Sequence, residues 1–326
     1  MSNIGQVLLV GAGGMAQAYA AVLTSMGVTP RVLGRSPASA AAFEAATGLT
    51  PGTGDLVTQL EGVDPNATAI VTVNAHALTE VTQTLMRHGI KRLLVEKPAA
   101  LDMEEMASLQ SVATAVGAEV YVAYNRRFLS SVIEADRLID LDGGIVSVKF
   151  DFSEPTRKIG ALGKPERELS TWFYGNSTHV IDLAFHFFGP PDTLEAHVAA
   201  QDGIDWHPQA GVFTGFGASE DGATIAWHSN WVSPGRWGLE VLTRERRIIM
   251  QPLEKLRIQT HDSFSEVDHV IDDACDQSFK PGLLRQTAAF LTGADEQRLV
   301  SLEAHGANMV FYEAIRKGTS YTKAKT

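Results

Sequence analysis

Apolar residues in the first third of the chain fall into short unbroken runs separated by longer stretches of helical period. The run VLLV (7–10) stops at glycines, and AQAYAAVLTSMG (16–27) follows as a helix closed by Gly27. RVLG (31–34) predicts a second strand and PASAAAFEAATG (37–48) a second helix, with Pro37 suited to the first turn and Gly48 to the end. Strands are predicted again over ATAIVTVN (67–74), KRLLVE (91–96) and EVYVAYN (119–125). A helix is predicted over ALTEVTQTLMRHG (77–89) and a weak strand around 54–57. Repeated β-α-β units imply an α/β fold with a doubly wound parallel sheet of Rossmann type.

The pattern then changes. GGIVSVKFDF (143–152), EAHVAAQ (195–201), GVFTGFGASEDGATIAWHSNW (211–231) and WGLEVLTRERRIIMQ (237–251) read as strands, with turn signals such as Glu220-Asp221-Gly222. Long strands joined by short turns predict a large, mostly antiparallel sheet. Helical segments at 178–188, 281–292 and 301–317 make this second domain α+β. The change falls near 125–128, so the expected domains are residues 1–125, binding a dinucleotide, and 126–326, binding substrate and mediating oligomerisation.

Composition changes this picture little. A chain of 326 residues exceeds one ordinary core, which fits two domains. It is 44% hydrophobic and 20% charged, and no apolar run approaches the roughly 18–20 residues of a membrane span, so no membrane partner is expected. The first ten residues lack a basic region and enter a strand directly, so a cytoplasmic location is expected. The single cysteine, Cys275, excludes an intramolecular disulfide and a Cys-rich metal cluster, and no metal is expected. A formal net charge of −11 argues against a nucleic-acid partner.

Candidate chemistry begins with VGAGGMA (10–16), between the first strand and the first helix. It spells Gly11-x-Gly13-x-x-Ala16 and encloses Gly14 and Met15. Gly11 permits the tight turn, Gly13 lets a pyrophosphate approach the backbone, and Ala16 allows close packing of helix on strand. The helix N-terminus adds N–H donors. NAD enzymes usually place an acid at the end of the second strand, to hold the adenosine ribose. Gly34, Arg35 and Ser36 stand there instead, offering space, positive charge and a hydroxyl donor. That set suits the 2′-phosphate of NADP(H), with NAD(H) as the other possible cofactor, although Arg35 also reads as a solvated surface arginine. Val73, Asn74 and His76 fall by position on the cofactor groove, and His76 also fits a surface loop.

Two further stretches stand out. VEKP (95–98) follows the strand at 91–96, at the sheet edge where ligands bind in such folds. In HVIDLAFHFF nearly every residue except His179, Asp182 and His186 is apolar, and those three share one helix face. A narrow polar stripe on a mostly buried helix needs partners or a cavity. Trp172 and Tyr174, just before this helix, are candidates for stacking on a sugar ring. Trp227, Trp231 and Trp237 lie on strands and read as core or interface residues.

The order and spacing of GAGGMA (11–16), EKP (96–98), YNRRF (124–128), NSTHVIDLAFHFFG (176–189) and, as a lesser match, KPG (280–282) resemble the glucose-fructose oxidoreductase/inositol dehydrogenase (Gfo/Idh/MocA) family. The resemblance covers nearly the whole chain. It implies a dinucleotide-binding domain, an open-faced antiparallel substrate domain, and homo-oligomers paired through those sheet faces. It implies Lys97 as the catalytic lysine, Glu96 as a cofactor contact or loop-orienting residue, and a cis Lys97–Pro98 peptide. Asn125 is then expected near substrate, and His179 as a second catalytic residue beside the reacting hydroxyl. Arg126 is a candidate for a substrate anion or for a structural ion pair. A lysine near a cationic nicotinamide loses some preference for its charged form, which suits an acid/base role near neutral pH.

One departure stands out. Many family dehydrogenases carry Asp four residues before this histidine, where this chain has Gly175. The neighbouring Asn176 can bind a substrate hydroxyl but cannot take a proton. The expected function is an NADP(H)-dependent oxidoreductase. It moves a hydride between the nicotinamide and a secondary alcohol or ketone of a sugar, cyclitol or sugar derivative. An NAD(P)-assisted glycoside hydrolase or lyase, and a non-catalytic NADP(H)-binding sensor, are the alternatives.

Overall fold

The computed structural model of the protein describes residues 4–324. Its strands, in chain order, are β1 (Val7–Val10), β2 (Arg31–Leu33), β3 (Thr68–Val71), β4 (Arg92–Val95), β5 (Glu119–Val122), β6 (Ser147–Phe152), β7 (Thr193–Ala199), β8 (Val212–Ala218), β9 (Thr224–Asn230), β10 (Trp237–Leu242), β11 (Arg246–Met250), β12 (Arg257–Thr260), β13 (Val267–Asp268), β14 (Val300–Ser301) and β15 (Tyr321–Thr322). They form a six-stranded sheet in the order β14-β5-β4-β3-β1-β2 and a nine-stranded sheet in the order β13-β12-β11-β10-β6-β9-β8-β7-β15. Among the described residues no helix is long and apolar enough to cross a membrane.

The chain divides into two compact units. One runs through Phe128 and takes in Cys275–Gly306; the other comprises Leu129–Ala274 and the residues from Ala307 on. This differs from a single boundary at 125/126, because 275–306 returns to the first unit. The return has a packing cause. Leu283, Ala289 and Phe290, on the helix Leu283–Thr292, share an apolar cluster with Val7, Tyr19 and Leu23. β14 then adds antiparallel to β5, and Arg92 on β4 donates to Phe290 O and to Glu296. None of this is visible in local period.

In the first unit β1 to β5 are parallel neighbours. VLLV is buried at all four positions, as a strand covered on both faces must be. Its helices start and stop at the expected signals. Ser36 accepts from Ser39 N–H to cap the helix Pro37–Thr47, which Gly48 ends at φ 73°. The weak strand expected around 54–57 is instead the short helix Leu56–Leu60, capped by Asp55. A local Asp cap outweighs so short an apolar run.

In the second unit the sheet is antiparallel apart from the β6–β9 pair. β9 alternates strictly: Ile225, Trp227 and Ser229 are buried, while Thr224, Ala226 and His228 are exposed. One face is therefore packed and the other is open. The helix Thr178–Phe188 packs against β6 and β10. It is buried without interruption from Thr178 to Phe185 and stops at Gly189. A π-helical turn, Phe173–Ser177, leads into it; such turns recur at functional sites.

Candidate active site

The nucleotide half is built where β1 and β3 end side by side. The chain leaves β1 towards β2 on one flank and reaches β3 on the other, which is the switch point of a doubly wound sheet. Thr72 closes that corner, its N–H and hydroxyl donating to Val10 O at 2.8 and 3.0 Å. Gly11 turns there at φ +117°, and a Cβ on it would meet Thr72 Oγ1 at 2.7 Å. Gly11 is thus required by the protein itself. Gly13 and Gly14 are not: a Cβ on either meets no protein atom within 4 Å. Gly13 is the N-cap of the helix Gly14–Ser25, which has no side-chain cap and no acid in its first turn. Uncapped N–H groups beside glycines with open space fit a dinucleotide pyrophosphate. Ala16 is fully buried, and Met15 Sδ lies 2.9 Å from Lys280 Nζ.

Beyond β2, Arg35 is exposed. Gly34 serves the fold as well as any ligand, since a Cβ on it would meet Gly52 O at 3.0 Å. The Ser36 hydroxyl is occupied as a helix cap and pairs with Ser39 Oγ at 2.8 Å. Val73, Asn74 and His76 follow β3, with Asn74 and His76 exposed and Ala75–Ala77 forming a 3-10 turn.

The Glu96-Lys97-Pro98 corner closes the same edge. Glu96 N–H donates to Val71 O at 2.9 Å, which keeps the chain in register with β3 for one residue beyond β4. The Lys97–Pro98 peptide is cis and Ala99 sits at φ 63°. Three side chains fasten the turn. His305 Nε2 donates to Pro98 O at 3.0 Å, Thr79 Oγ1 to Ala99 O at 3.2 Å, and Leu101 N–H to Glu105 Oε2 at 2.9 Å. The backbone that carries Lys97 is therefore held from three directions.

The Glu96 carboxyl takes its donor from far along the chain. Tyr19 Oη donates to Glu96 Oε1 at 3.1 Å. That hydroxyl has one proton, so the Gln286 amide is oriented with Nε2 donating into Tyr19 Oη at 3.3 Å. Its Oε1 then accepts from the N–H groups of Asn125 and Tyr124 at 3.1 and 3.2 Å. Burial pushes the Glu96 carboxyl above its usual range, opposed by the positive charges of Lys97 and Lys280 and by the Tyr19 bond. Burial and Glu96 in turn raise the Tyr19 phenol well above its ordinary value.

In the second unit a polar cluster gathers under β6, β10 and the π turn. After β6, Ser153 N–H and Oγ donate to Asp151 Oδ1 at 2.7 and 2.6 Å, turning the chain so that Glu154 enters the fold. Glu154 is 3% exposed. Its oxygens accept from Asn176 Nδ2 at 2.9 and 3.1 Å, from Ser177 Oγ at 3.3 Å and from Trp237 Nε1 at 3.2 Å. Trp172 Nε1 is directed at the same carboxylate without completing a hydrogen bond. Burial raises the carboxyl from 4.5 to about 7, opposed by these donors. His179 is buried, and its ring packs on Trp237 with centroids 5.9 Å apart.

Against this geometry, the family model described as "Oxidoreductase family, NAD-binding Rossmann fold" (Gfo/Idh/MocA) matches residues 6–124. The matched segment lies within the first unit and makes up little more than a third of the chain. The chain is 31% identical over 141 residues to the uncharacterized oxidoreductase YhhX of Escherichia coli (strain K12), covering 42% of this chain and 38% of that one. It is 25% identical over 154 residues to scyllo-inositol 2-dehydrogenase (NADP(+)) IolW of Bacillus subtilis (strain 168), covering 45% and 42%. The match thus spans about two fifths of the length of these relatives. In overall fold the chain is similar to an oxidoreductase from Agrobacterium radiobacter solved with NAD+, L-tartaric acid and magnesium. The TM-score is 0.77 and the identity 13%, with 98% of each chain covered.

The fold gives several of the residues singled out in the sequence partners within their own unit. Asn125 is buried and its Nδ2 donates to Pro281 O at 2.8 Å, tying the returning 275–306 segment to the first unit. Arg126 is half-buried in the 3-10 turn Asn125–Phe128. Tyr174 is 6% exposed, with its hydroxyl on Glu313 and its ring against Arg316, so it is turned into the fold rather than towards a sugar. Of the polar stripe, Asp182 is fully buried and His186 pairs with Asp136 at 3.1 Å. Trp227 and Trp231 are core residues, but Trp237 belongs to the cluster around Glu154. Glu154 and Tyr19 carried no sequence signal. One follows a strand and the other lies on an apolar helix, and only the fold gives each its partner.

Proposed function

We propose that this protein is an NADP(H)-dependent oxidoreductase acting on a secondary alcohol or ketone of a sugar, cyclitol or related polyol. The nicotinamide, when bound, accepts or returns the hydride. Lys97 is assigned the proton at the reacting oxygen: it takes the hydroxyl proton in oxidation and returns it in reduction. His179 assists as a hydrogen-bonding partner of the substrate. Gly13, Gly14 and the uncapped helix start hold the pyrophosphate, and Arg35 takes the 2′-phosphate.

The observation that carries this reading is the Glu96-Lys97-Pro98 corner. Two long-range hydrogen bonds and a local one hold the turn, at the edge of the sheet that also bears the glycine loop. An ordinary solvated lysine has no need of such support. The chemistry assigned to the second unit is supported by a polar cluster with indole faces, the kind of surface that binds hydroxyl-rich ligands. The test is a panel of sugars, cyclitols and their acids, run with NAD(H) and NADP(H) in parallel and followed by nicotinamide absorbance. Turnover with NADP(H) favoured is the expected result. Tight NADPH binding with no net oxidation or reduction across the panel overturns the reading.

A further inference from the structure

We propose that Glu154 is a positioning residue for this reaction: it sets Asn176 as a hydrogen-bond acceptor for a substrate hydroxyl and holds Trp237 against His179. The inference rests on the oxidoreductase reading above. A carboxylate only accepts, so the amide group facing it must be Nδ2, and Asn176 Nδ2 reaches both oxygens, at 2.9 and 3.1 Å. The amide is planar, and its Oδ1 therefore points away from Glu154. Asn176 keeps surface whereas Glu154 has almost none. The same carboxylate accepts from Trp237 Nε1 at 3.2 Å, and Trp237 is the ring on which His179 packs. One buried group thus orients a half-buried acceptor and the wall beside His179. Position 175, where the family pattern has an acid, holds glycine. Here the acid comes from another element and acts through an amide.

Every donor to Glu154 is neutral. The charged and titratable side chains on the surrounding elements are Lys149 and Asp151 on β6, Arg157 and Lys158 on the helix Thr156–Gly160, Tyr174 in the π turn, His179, Asp182 and His186 on the helix after it, Arg236 before β10 and Glu240 on β10. None of them bonds the carboxylate. Burial without a counter-charge leaves the group titrating at about 7. On protonation one oxygen becomes a hydroxyl, the two-point hold on Asn176 is lost, and the amide is free to turn.

The experiment uses the full chain. Wild type and Glu154→Gln are titrated by tryptophan fluorescence between about pH 5 and pH 9, and KM and kcat for the best substrate are measured across the same range. A transition near pH 7 in wild type, absent in Glu154→Gln, is expected. The variant should raise KM about tenfold at pH 8, the scale of one hydrogen bond to a charged group, with kcat within about twofold. In an Asn176→Ala background, Glu154→Gln should then raise KM by clearly less than it does in wild type, because only the hold on Trp237 is left to lose. Should Glu154→Gln fail to fold, Glu154→Asp should keep the fluorescence transition while raising KM. An unchanged fluorescence titration in Glu154→Gln, or an unchanged KM, overturns the proposal. If wild type turns over no member of the panel, the oxidoreductase reading falls, and the fluorescence titration still decides for or against Glu154.

Discussion

Tyr19 Oη donates to Glu96 Oε1 at 3.1 Å, joining the first helix to the loop that carries Lys97. The bond supplies a buried carboxyl with a donor that local sequence does not provide. Removing it with Tyr19→Phe leaves the carboxylate short of a partner, at a cost of about 1–3 kcal/mol. The bond lowers the Glu96 pKa, so without it the carboxyl titrates higher still. The loss should therefore be larger at pH 8, where the ionised form needs the donor, than at pH 5. Urea midpoints at the two pH values check this; equal losses count against it.

The two glycines of the loop should behave differently. Gly11→Ala introduces a Cβ 2.7 Å from Thr72 Oγ1 at φ +117°, so the fold itself should lose stability, by about 1–3 kcal/mol. Gly13→Ala meets no protein atom within 4 Å. Its stability should stay within about 0.5 kcal/mol of wild type while dinucleotide affinity falls about tenfold or more. Thermal unfolding and nucleotide titration on both variants separate the roles.

Arg35→Ala should weaken NADPH about 10- to 100-fold, the worth of a hydrogen bond to a charged group, and leave NADH nearly unchanged. Parallel titrations with the two nucleotides read the ratio. Equal loss for both would assign Arg35 elsewhere.

Lys97→Met should lower kcat about 100- to 10,000-fold while NADPH binding stays within about threefold of wild type. Stopped-flow turnover together with a nucleotide titration is the measurement. Near-normal kcat sinks the acid/base assignment.

Glu154 should make stability depend on pH. The folded protein holds its proton up to about 7, whereas the unfolded chain releases it near 4.5. More protons are bound in the folded state over that window, so this group's contribution falls as pH rises through it and is level above it. Glu154→Gln removes the effect. The variant should match wild type near pH 4.5 and exceed it by up to about 3 kcal/mol at pH 8, read as a difference in urea midpoints. A difference that does not grow with pH would mean that the carboxyl is not desolvated.

Much of this protein is local enough to read from the chain. VLLV, the glycines after it and the helix beyond form one strand-turn-helix unit whose signals lie within about twenty residues of one another. The apolar girth of 178–188 declares a buried helix, and the alternation in β9 declares a sheet with one packed face. Lys97 and His179 are singled out by their place in the family-like order of motifs, and the short runs of regular period need no distant partner.

Tertiary structure decided the rest. Asn125 and Tyr174 looked like ligand contacts, yet the Asn125 Nδ2 donates to Pro281 O and the Tyr174 hydroxyl to the Glu313 carboxylate. The residues 275–306 return to the first unit because their apolar face completes its core. Glu154 gains its donors only because the chain after β6 brings it to Asn176 and Trp237. A side chain's type is written in the sequence. Which donor meets it, and how much water it keeps, depend on segments far away in the chain, and those two quantities set its ionisation and its role.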